Sequence, residues 1–363
     1  MSQDRTGIYY WKCDRAAAFH GTEAIRPDNP LLEPQLRSAL ERRFPGVSLT
    51  LHPADGQGNH RTFRLTIGEQ EAFVRTEDGP ERDNYFDVET AVTARLLAHG
   101  IPVPRVLACD CSRSDVPFAW QVLEYVPFPD LNQHFKRGTL ELAPVAEKIG
   151  EAVACWQDIR PAGFGPFSAA EAGASGSLRG LHASYRDYYF LNLQSHLDFL
   201  ERNGFFTSAQ AASVSSAVGR HEDLLGLKQG VLVHKDLALW NILGAPDRIA
   251  AFIDWDDAIS GDPMDDLSLL GCFHGAPVLE RALAGYARAR PLPDGYLRRF
   301  WLCLLRNMLV KAVIRVGAGY FKRNDSFFLI GAGSSGTDLE AFTRARIETA
   351  LRGLNENKDL SIL

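Results

Sequence analysis

The chain has few of the features that mark a nucleic-acid binder, a zinc protein or a membrane span. Basic residues are in the minority: 39 Lys and Arg stand against 45 Asp and Glu, a formal net charge of -6. A nucleic-acid footprint needs basic clustering, so no nucleic-acid partner is expected. Cysteine is sparse and scattered: Cys13, Cys109, Cys111, Cys155, Cys272 and Cys303. Cys109-Asp110-Cys111 has no second pair at zinc-ligand spacing. Several thiols sit in apolar runs, where they behave as small hydrophobes. Reduced thiols in a cytoplasmic protein are therefore expected. Long apolar runs are missing too. The most apolar window, 301–316, is broken by Arg306, Lys311 and Arg315. It reads as a buried helix, and no membrane partner is expected. Residues 1–12 carry Asp4, Arg5 and Lys12 and no secretory-type apolar core. Internal repeats and long charge blocks are also lacking.

What is present is ordinary globular material. The 363 residues are 45% apolar and 23% charged, enough for two lobes rather than one core. Residues 1–30 read as an extension, 31–126 as a first lobe and 127–363 as a mainly helical second lobe. Ile8-Tyr9-Tyr10-Trp11 is too aromatic for a free tail and is expected to dock onto the body. Leu32, Leu36, Leu40 and Phe44 repeat at a spacing of four and predict a helix. Thr62 to Ile67 alternates with period two, and Ala72-Phe73-Val74 returns as a further strand ending at Arg75. A helix is predicted over 81–99, closed by Gly100. Ala119 to Val126 reads as a strand running into Pro127. Helices are expected over 142–159, 185–204, 207–224, 278–289, 296–316 and 338–355. The glycine-rich stretch 163–180 reads as a mobile loop.

The chemistry gathers between Val231 and Leu267. The apolar run Val231-Leu232-Val233 delivers His234 and Asp236 into a loop, and Asn241 follows five residues later. A second apolar run, Ile249 to Ile253, ends at Asp254. Two strand-like pieces thus each present a carboxylate at their ends, with an amide between. Phosphoryl transfer from ATP needs a carboxylate at the acceptor hydroxyl and oxygen ligands for Mg²⁺. The bland reading is that such carboxylates are solvated or cap a following helix.

His234-x-Asp236-x(4)-Asn241 with Ile253-Asp254-Trp255 resembles the signature of the aminoglycoside phosphotransferase and choline kinase family. The run Gly261-Asp262-Pro263-x-x-Asp266-Leu267 extends the likeness. The resemblance implies an α+β, two-lobed, protein-kinase-like fold, with an N-terminal antiparallel sheet lobe and a helical C-terminal lobe. It implies ATP and Mg²⁺ as cofactors, Asp236 at the acceptor hydroxyl, and Asn241 and Asp254 on the metal. Asp266 resembles a position that braces the catalytic loop. Asp262 and Asp265 read as structural, His234 as orienting the loop, and Trp240 and Trp255 as packing. The protein-kinase signatures H-R-D, D-F-G and A-P-E are absent. Lys235 departs from the family, which has a small residue or Asn there, and is expected to put a cation beside the acceptor.

On the nucleotide side, Gly56 and Gly58 would let backbone N–H groups approach phosphate. Asn59 falls where the family commonly has Ser. Arg75 stands where kinases place a phosphate-binding cation, usually Lys, and keeps that charge with a planar fork. Glu89 resembles its paired glutamate, and Glu81 is the competing partner. Adenine is expected near Glu124, Tyr125 and Val126. The acceptor is a small molecule with a hydroxyl: an amino alcohol, an aminoglycoside or a sugar-like compound. Tyr188, Asp256 and Asp257 are its candidate contacts, with the 163–180 loop closing over it. The alternative from another class is a nucleotide-binding pseudokinase without turnover.

Overall fold

The computed structural model describes residues 4–15, 29–54, 60–323 and 336–363. The first lobe is an antiparallel sheet of β1 (Leu49–Ala54), β2 (Arg61–Ile67), β3 (Gln70–Glu77), β4 (Val106–Asp110) and β5 (Ala119–Glu124), in the order β1-β2-β3-β5-β4. The period-two pattern of β2 sends Phe63 and Leu65 inward, where they meet Val74, Val122 and the buried side of the helix Leu32–Arg43. Gly68, at φ +62, makes the tight β2–β3 turn. The register sets Thr62 opposite Arg75, and Arg75 opposite Gln121. Arg75 therefore lies at mid-sheet, on β3.

The following helix starts at Tyr85, later than the expected Glu81. Arg82 has φ +52, which breaks helical geometry, and the Asp83 carboxylate instead accepts the Tyr85 N–H at 3.0 Å. Its far end matches expectation, with Gly100 at φ +73.

The rest is mainly helical, built around Tyr296–Gly317. That helix buries residues on every side, which explains its polar interruptions: Arg306 and Arg315 are both buried. No helix among the described residues is long and apolar enough to cross a membrane. Helices Leu142–Trp156 and Ala276–Ala289 cross so closely that a Cβ on Gly150 would collide with the Ala282 carbonyl. All six cysteines are free.

The stretch 163–180 is not a loop. It forms β6 (Phe164–Phe167), a helix (Ala169–Ser175) and β7 (Gly180–His182). β8 is Val231–Val233, β9 Ile242–Ala245, β10 Arg248–Phe252 and β11 Ile259–Gly261. β6 joins a sheet of order β7-β6-β11-β8. The glycines here serve close packing: a Cβ on Gly180 would strike the Phe164 backbone. The expected lid over the acceptor thus becomes part of the platform under the catalytic loop. The expected helix 185–204 is two helices, broken at Asn192, whose φ is +56 and whose side chain donates to the Gly7 carbonyl at 2.9 Å.

Candidate active site

β8 is buried in its sheet and carries His234, Lys235 and Asp236 off its end. Asp266 holds this turn: its carboxylate accepts the N–H of His234 at 2.9 Å, of Lys235 at 3.1 Å and of the Trp156 indole at 3.1 Å. Burial pushes Asp266 up to about 7, against the pull of those N–H groups. His234 donates from Nε2 to the Ile253 carbonyl at 2.9 Å and accepts the Asp236 N–H at Nδ1, 3.3 Å. That pattern belongs to the neutral ring, and burial holds its pKa below the ordinary value. His234 thus ties the Asp236 turn to the strand that delivers Asp254.

A single 3₁₀ turn, Leu239–Asn241, brings Asn241 back under Asp236. Its amide donates to the Asp236 carbonyl at 2.8 Å and to Oδ2 at 3.1 Å. The Ile253 N–H donates to the Asn241 carbonyl at 3.0 Å, which brings Asp254 alongside. Lys235 and Asp254 both have φ +68. Non-glycine residues there carry strain of about 1–3 kcal/mol, which a packed surround must hold.

Arg75 meets Asp254 across the lobes, Nη1 to Oδ1 at 2.9 Å. Its Nη2 donates to Gln121 at 2.9 Å and ion-pairs with Glu89, while Glu89 Oε1 accepts the Trp255 N–H at 3.1 Å. Glu89, not Glu81, is the carboxylate paired with Arg75. Burial and the nearby Asp256 carboxylate push Asp254 above its usual range, with Arg75 pulling the other way. Glu124 ends β5 with its carboxylate on Arg105 at 3.0 Å, and the Val126 carbonyl accepts the Phe128 N–H at 2.8 Å. Gly56, Gly58 and Asn59 lie outside the described residues.

The acceptor side differs from expectation. Lys235 does not face an acceptor. It is 1% exposed, and its ammonium is spent on Asp265 at 2.9 Å, Asn307 at 3.1 Å and the Tyr9 hydroxyl at 3.2 Å. Its left-handed backbone turns the side chain inward. Tyr188 lines no open pocket either: it is fully buried, stacked on Tyr9 at 4.8 Å, and its hydroxyl donates to the Tyr9 carbonyl at 2.8 Å. Asp257 is taken by Arg5 at 2.7 Å, and Asp256 by His60 at 3.3 Å. Burial works against ionising Asp256, yet His60 holds it well below the carboxylate range. Burial, opposed by Arg5 and helped by Asp256, pushes Asp257 up to about 7. The His60 ring, desolvated but bonded to Asp256 and facing Glu77, is raised to about 9.

Besides Asn241, the groups that face Asp236 come from the N-terminal segment and the helix Tyr296–Gly317. The Tyr10 hydroxyl donates to Asp236 Oδ1 at 2.9 Å. Lys12 Nζ lies 3.9 Å from Oδ2, and Lys311 Nζ 3.9 Å from Oδ1. Burial favours the neutral acid, but Lys12, Lys311 and Tyr10 together hold Asp236 below its ordinary value. The segment is strongly anchored. Arg5 ion-pairs with Asp83 at 2.6 Å, and Asp14 accepts from His196 at 2.7 Å and from the backbone of Tyr9 and Tyr10. Sequence reading missed Tyr10, Lys12, Arg5 and Lys311. Its only signals were the aromatic run at residues 8–11 and a lysine inside an apolar helix.

The chain matches the phosphotransferase enzyme family, APH, over residues 50–299. It is 26% identical over 327 residues to hygromycin-B 4-O-kinase of Escherichia coli, covering 85% of this chain and 89% of that protein. A shorter likeness, 35% over 66 residues, links 17% of the chain to 23% of viomycin phosphotransferase of Streptomyces vinaceus. The crystal structure of a thermostable mutant of aminoglycoside phosphotransferase APH(4)-Ia, in ternary complex with AMP-PNP and hygromycin B, superposes with a TM-score of 0.61. That match has 20% identity and covers 88% of this chain and 98% of that one. The chain belongs to the phosphotransferase enzyme family and is a small-molecule kinase.

Proposed function

We propose that the chain moves the γ-phosphoryl group of ATP to a hydroxyl of a small molecule, with Asp236 as the acceptor base. The observation that carries this reading is one connected loop. Asn241 donates to Asp236 and accepts the Ile253 N–H, which sets Asp254 beside them, and Arg75 reaches Asp254 from the nucleotide lobe at 2.9 Å. An acceptor hydroxyl donating to Asp236 would be aligned and relieved of its proton as the O–P bond forms. Asp236 suits this because its neighbours keep it ionised.

Asn241 and Asp254 would hold Mg²⁺. Both offer hard oxygen donors, and burial with the neighbouring Asp256 disfavours the ionised form of Asp254, which a divalent cation would favour. When bound, the ion would neutralise charge on the ATP phosphates. Arg75, locked by Glu89 and Gln121, would contact those phosphates as a fixed fork. The AMP-PNP in the APH(4)-Ia complex supports an adenine nucleotide here. Gly56, Gly58 and Asn59 would close over the phosphates, and the segment at Glu124 and Val126 would receive the base.

A nucleotide binder without turnover is favoured by one observation, the Tyr10 hydroxyl that covers Asp236. One experiment separates the two readings. ADP release from Mg-ATP is screened over hydroxyl acceptors, beside thermal shift with Mg-ATP. Acceptor-dependent ADP release, lost in Asp236→Asn, supports the kinase. A nucleotide-induced shift with no release under any acceptor supports the binder.

A further inference from the structure

The carboxylates near Asp236 are taken up by basic groups of the protein itself. Asp257 belongs to Arg5, Asp256 to His60, Asp254 to Arg75 and Asp265 to Lys235. An amine-rich acceptor would find them occupied. Cations are left over instead. Among the described residues, neither Lys12 nor Lys311 has a carboxylate within ion-pair distance other than Asp236, which each approaches only to 3.9 Å. One turn along the same helix face, Arg315 is buried and donates to the Thr343 hydroxyl at 2.7 Å. Arg346 is 8% exposed, and its Nη1 is buried without a hydrogen-bond partner. Burial lowers the pKa of Lys311 and Arg346, and brings Arg315 down to about 10. Burial also works against the charge of Lys12, but Asp236, Asp254, Asp257 and Asp256 outweigh it, so the shortage of counter-charge falls on Lys311, Arg315 and Arg346. Desolvated cations with so little counter-charge are costly unless an anion joins them.

The position of Tyr10 says where that anion would lie. Its hydroxyl makes the bond to Asp236 that a reacting acceptor must make. An acceptor hydroxyl taking over this bond would share Asp236 with Lys12, 3.9 Å from Oδ2, and with Lys311, 3.9 Å from Oδ1 and 5.5 Å from the centre of the Tyr10 ring. Lys12 is the reachable one, with 40% of its side chain exposed, against 12% for Lys311. The ATP phosphates have their own cation in Arg75.

We propose that the acceptor bears an anionic group, a carboxylate or a phosphate, beside its reacting hydroxyl, and that Lys12 and Lys311 bind it. This rests on the kinase reading above. In the reaction the acceptor oxygen bonds to the γ-phosphorus, the bond to the bridging oxygen breaks, ADP leaves and the proton passes to Asp236. A polycation such as hygromycin B would instead meet two ammonium groups.

The test measures Mg-ATP-dependent ADP release over three acceptor sets. One holds hydroxy acids such as glycerate, one sugar phosphates such as ribose 5-phosphate, and one neutral or cationic compounds such as glucose, choline and hygromycin B. Turnover is expected in one of the anionic sets, and which set responds identifies the group. Lys12→Met and Lys311→Met should each raise the acceptor KM roughly tenfold or more, the worth of a charge-assisted bond. The ATP KM should hold, and Lys12→Arg should restore the acceptor KM. Turnover confined to the third set overturns the proposal and leaves the kinase reading standing. A raised ATP KM with unchanged acceptor KM in both lysine variants also overturns it, by assigning the lysines to the γ-phosphate. Absence of both turnover and Mg-ATP binding removes the kinase reading and the proposal together.

Discussion

Two regions meet at Asp236, and they are held in different ways. In the catalytic segment the partners lie within 32 residues of one another: Asn241 to Asp236, His234 to Ile253, Asp266 to His234 and Lys235. In the N-terminal segment nearly every anchor is distant: Arg5 to Asp83 and Asp257, Tyr10 to Asp236, Asp14 to His196. A local bond network survives small shifts of the rest of the protein. A docked segment depends on both lobes at once, because Arg5 ties the approach to the helix Tyr85–Ala98 to the loop after Asp254. Variants in the first region should therefore damage chemistry with little loss of stability. Variants in the second should damage stability or substrate binding.

Asp236→Asn should have the largest effect. It keeps shape but removes the proposed base and one of the two oxygens that accept from Tyr10 and Asn241, so kcat should fall about 10²–10⁴-fold. Thermal stability and Mg-ATP binding should hold. Turnover near that of the unaltered protein would take the acceptor role away from Asp236.

Asp254→Ala comes next. Loss of the proposed oxygen ligand should remove the Mg²⁺ dependence of ATP binding, read by calorimetry with and without the metal. Mg-ATP affinity unchanged from the parent would move the metal elsewhere.

Arg5→Ala probes the second region. It leaves Asp83 and Asp257 as buried carboxylates with no guanidinium, and breaking a buried pair costs about 3–5 kcal/mol. Denaturant unfolding should show a loss of that order, whereas Asp236→Asn should show little. Equal losses would erase the contrast between docked segment and catalytic loop. On a smaller scale, a double-mutant cycle between Arg75 and Glu89 should give coupling of about 0.5–3 kcal/mol in ATP binding. Simple additivity there would mean that the pair does not act as a unit.

The same contrast explains what could be read from the sequence. The spacing Asp236-x(4)-Asn241 and the apolar run into Asp254 carry their geometry locally, because strand ends and a single 3₁₀ turn place the groups. Arg75 and Glu89 were legible because a strand and the helix after it bring them together. Lys235 was misread because adjacency to Asp236 says nothing of direction, and φ +68 turns its side chain away. The 163–180 stretch was misread because glycine signals both flexibility and close packing, and only the partner backbone tells which. The aromatic run at 8–11 announced a docked segment. Its dock could not be read, since the bonds that define it reach across 78 to 252 residues.

The smallest effect is expected where the two regions touch, in Tyr10→Phe. The variant loses one hydroxyl and its 2.9 Å bond to Asp236. The hydroxyl stabilises the ionised carboxylate, together with Lys12 and Lys311, so its loss should raise the Asp236 pKa. With Asp236 as the proposed base, activity requires the ionised form, so the acid limb of the kcat/KM profile should move to higher pH. That profile reports the free enzyme, in which Tyr10 occupies Asp236. The kcat profile reports the substrate complex, in which the acceptor hydroxyl has taken over the bond. Its acid limb should therefore stay where it is. A matched shift in both profiles would mean that Tyr10 remains on Asp236 during turnover and the acceptor approaches from another side. A shift in neither would mean that the segment is not seated on the catalytic carboxylate in the working enzyme.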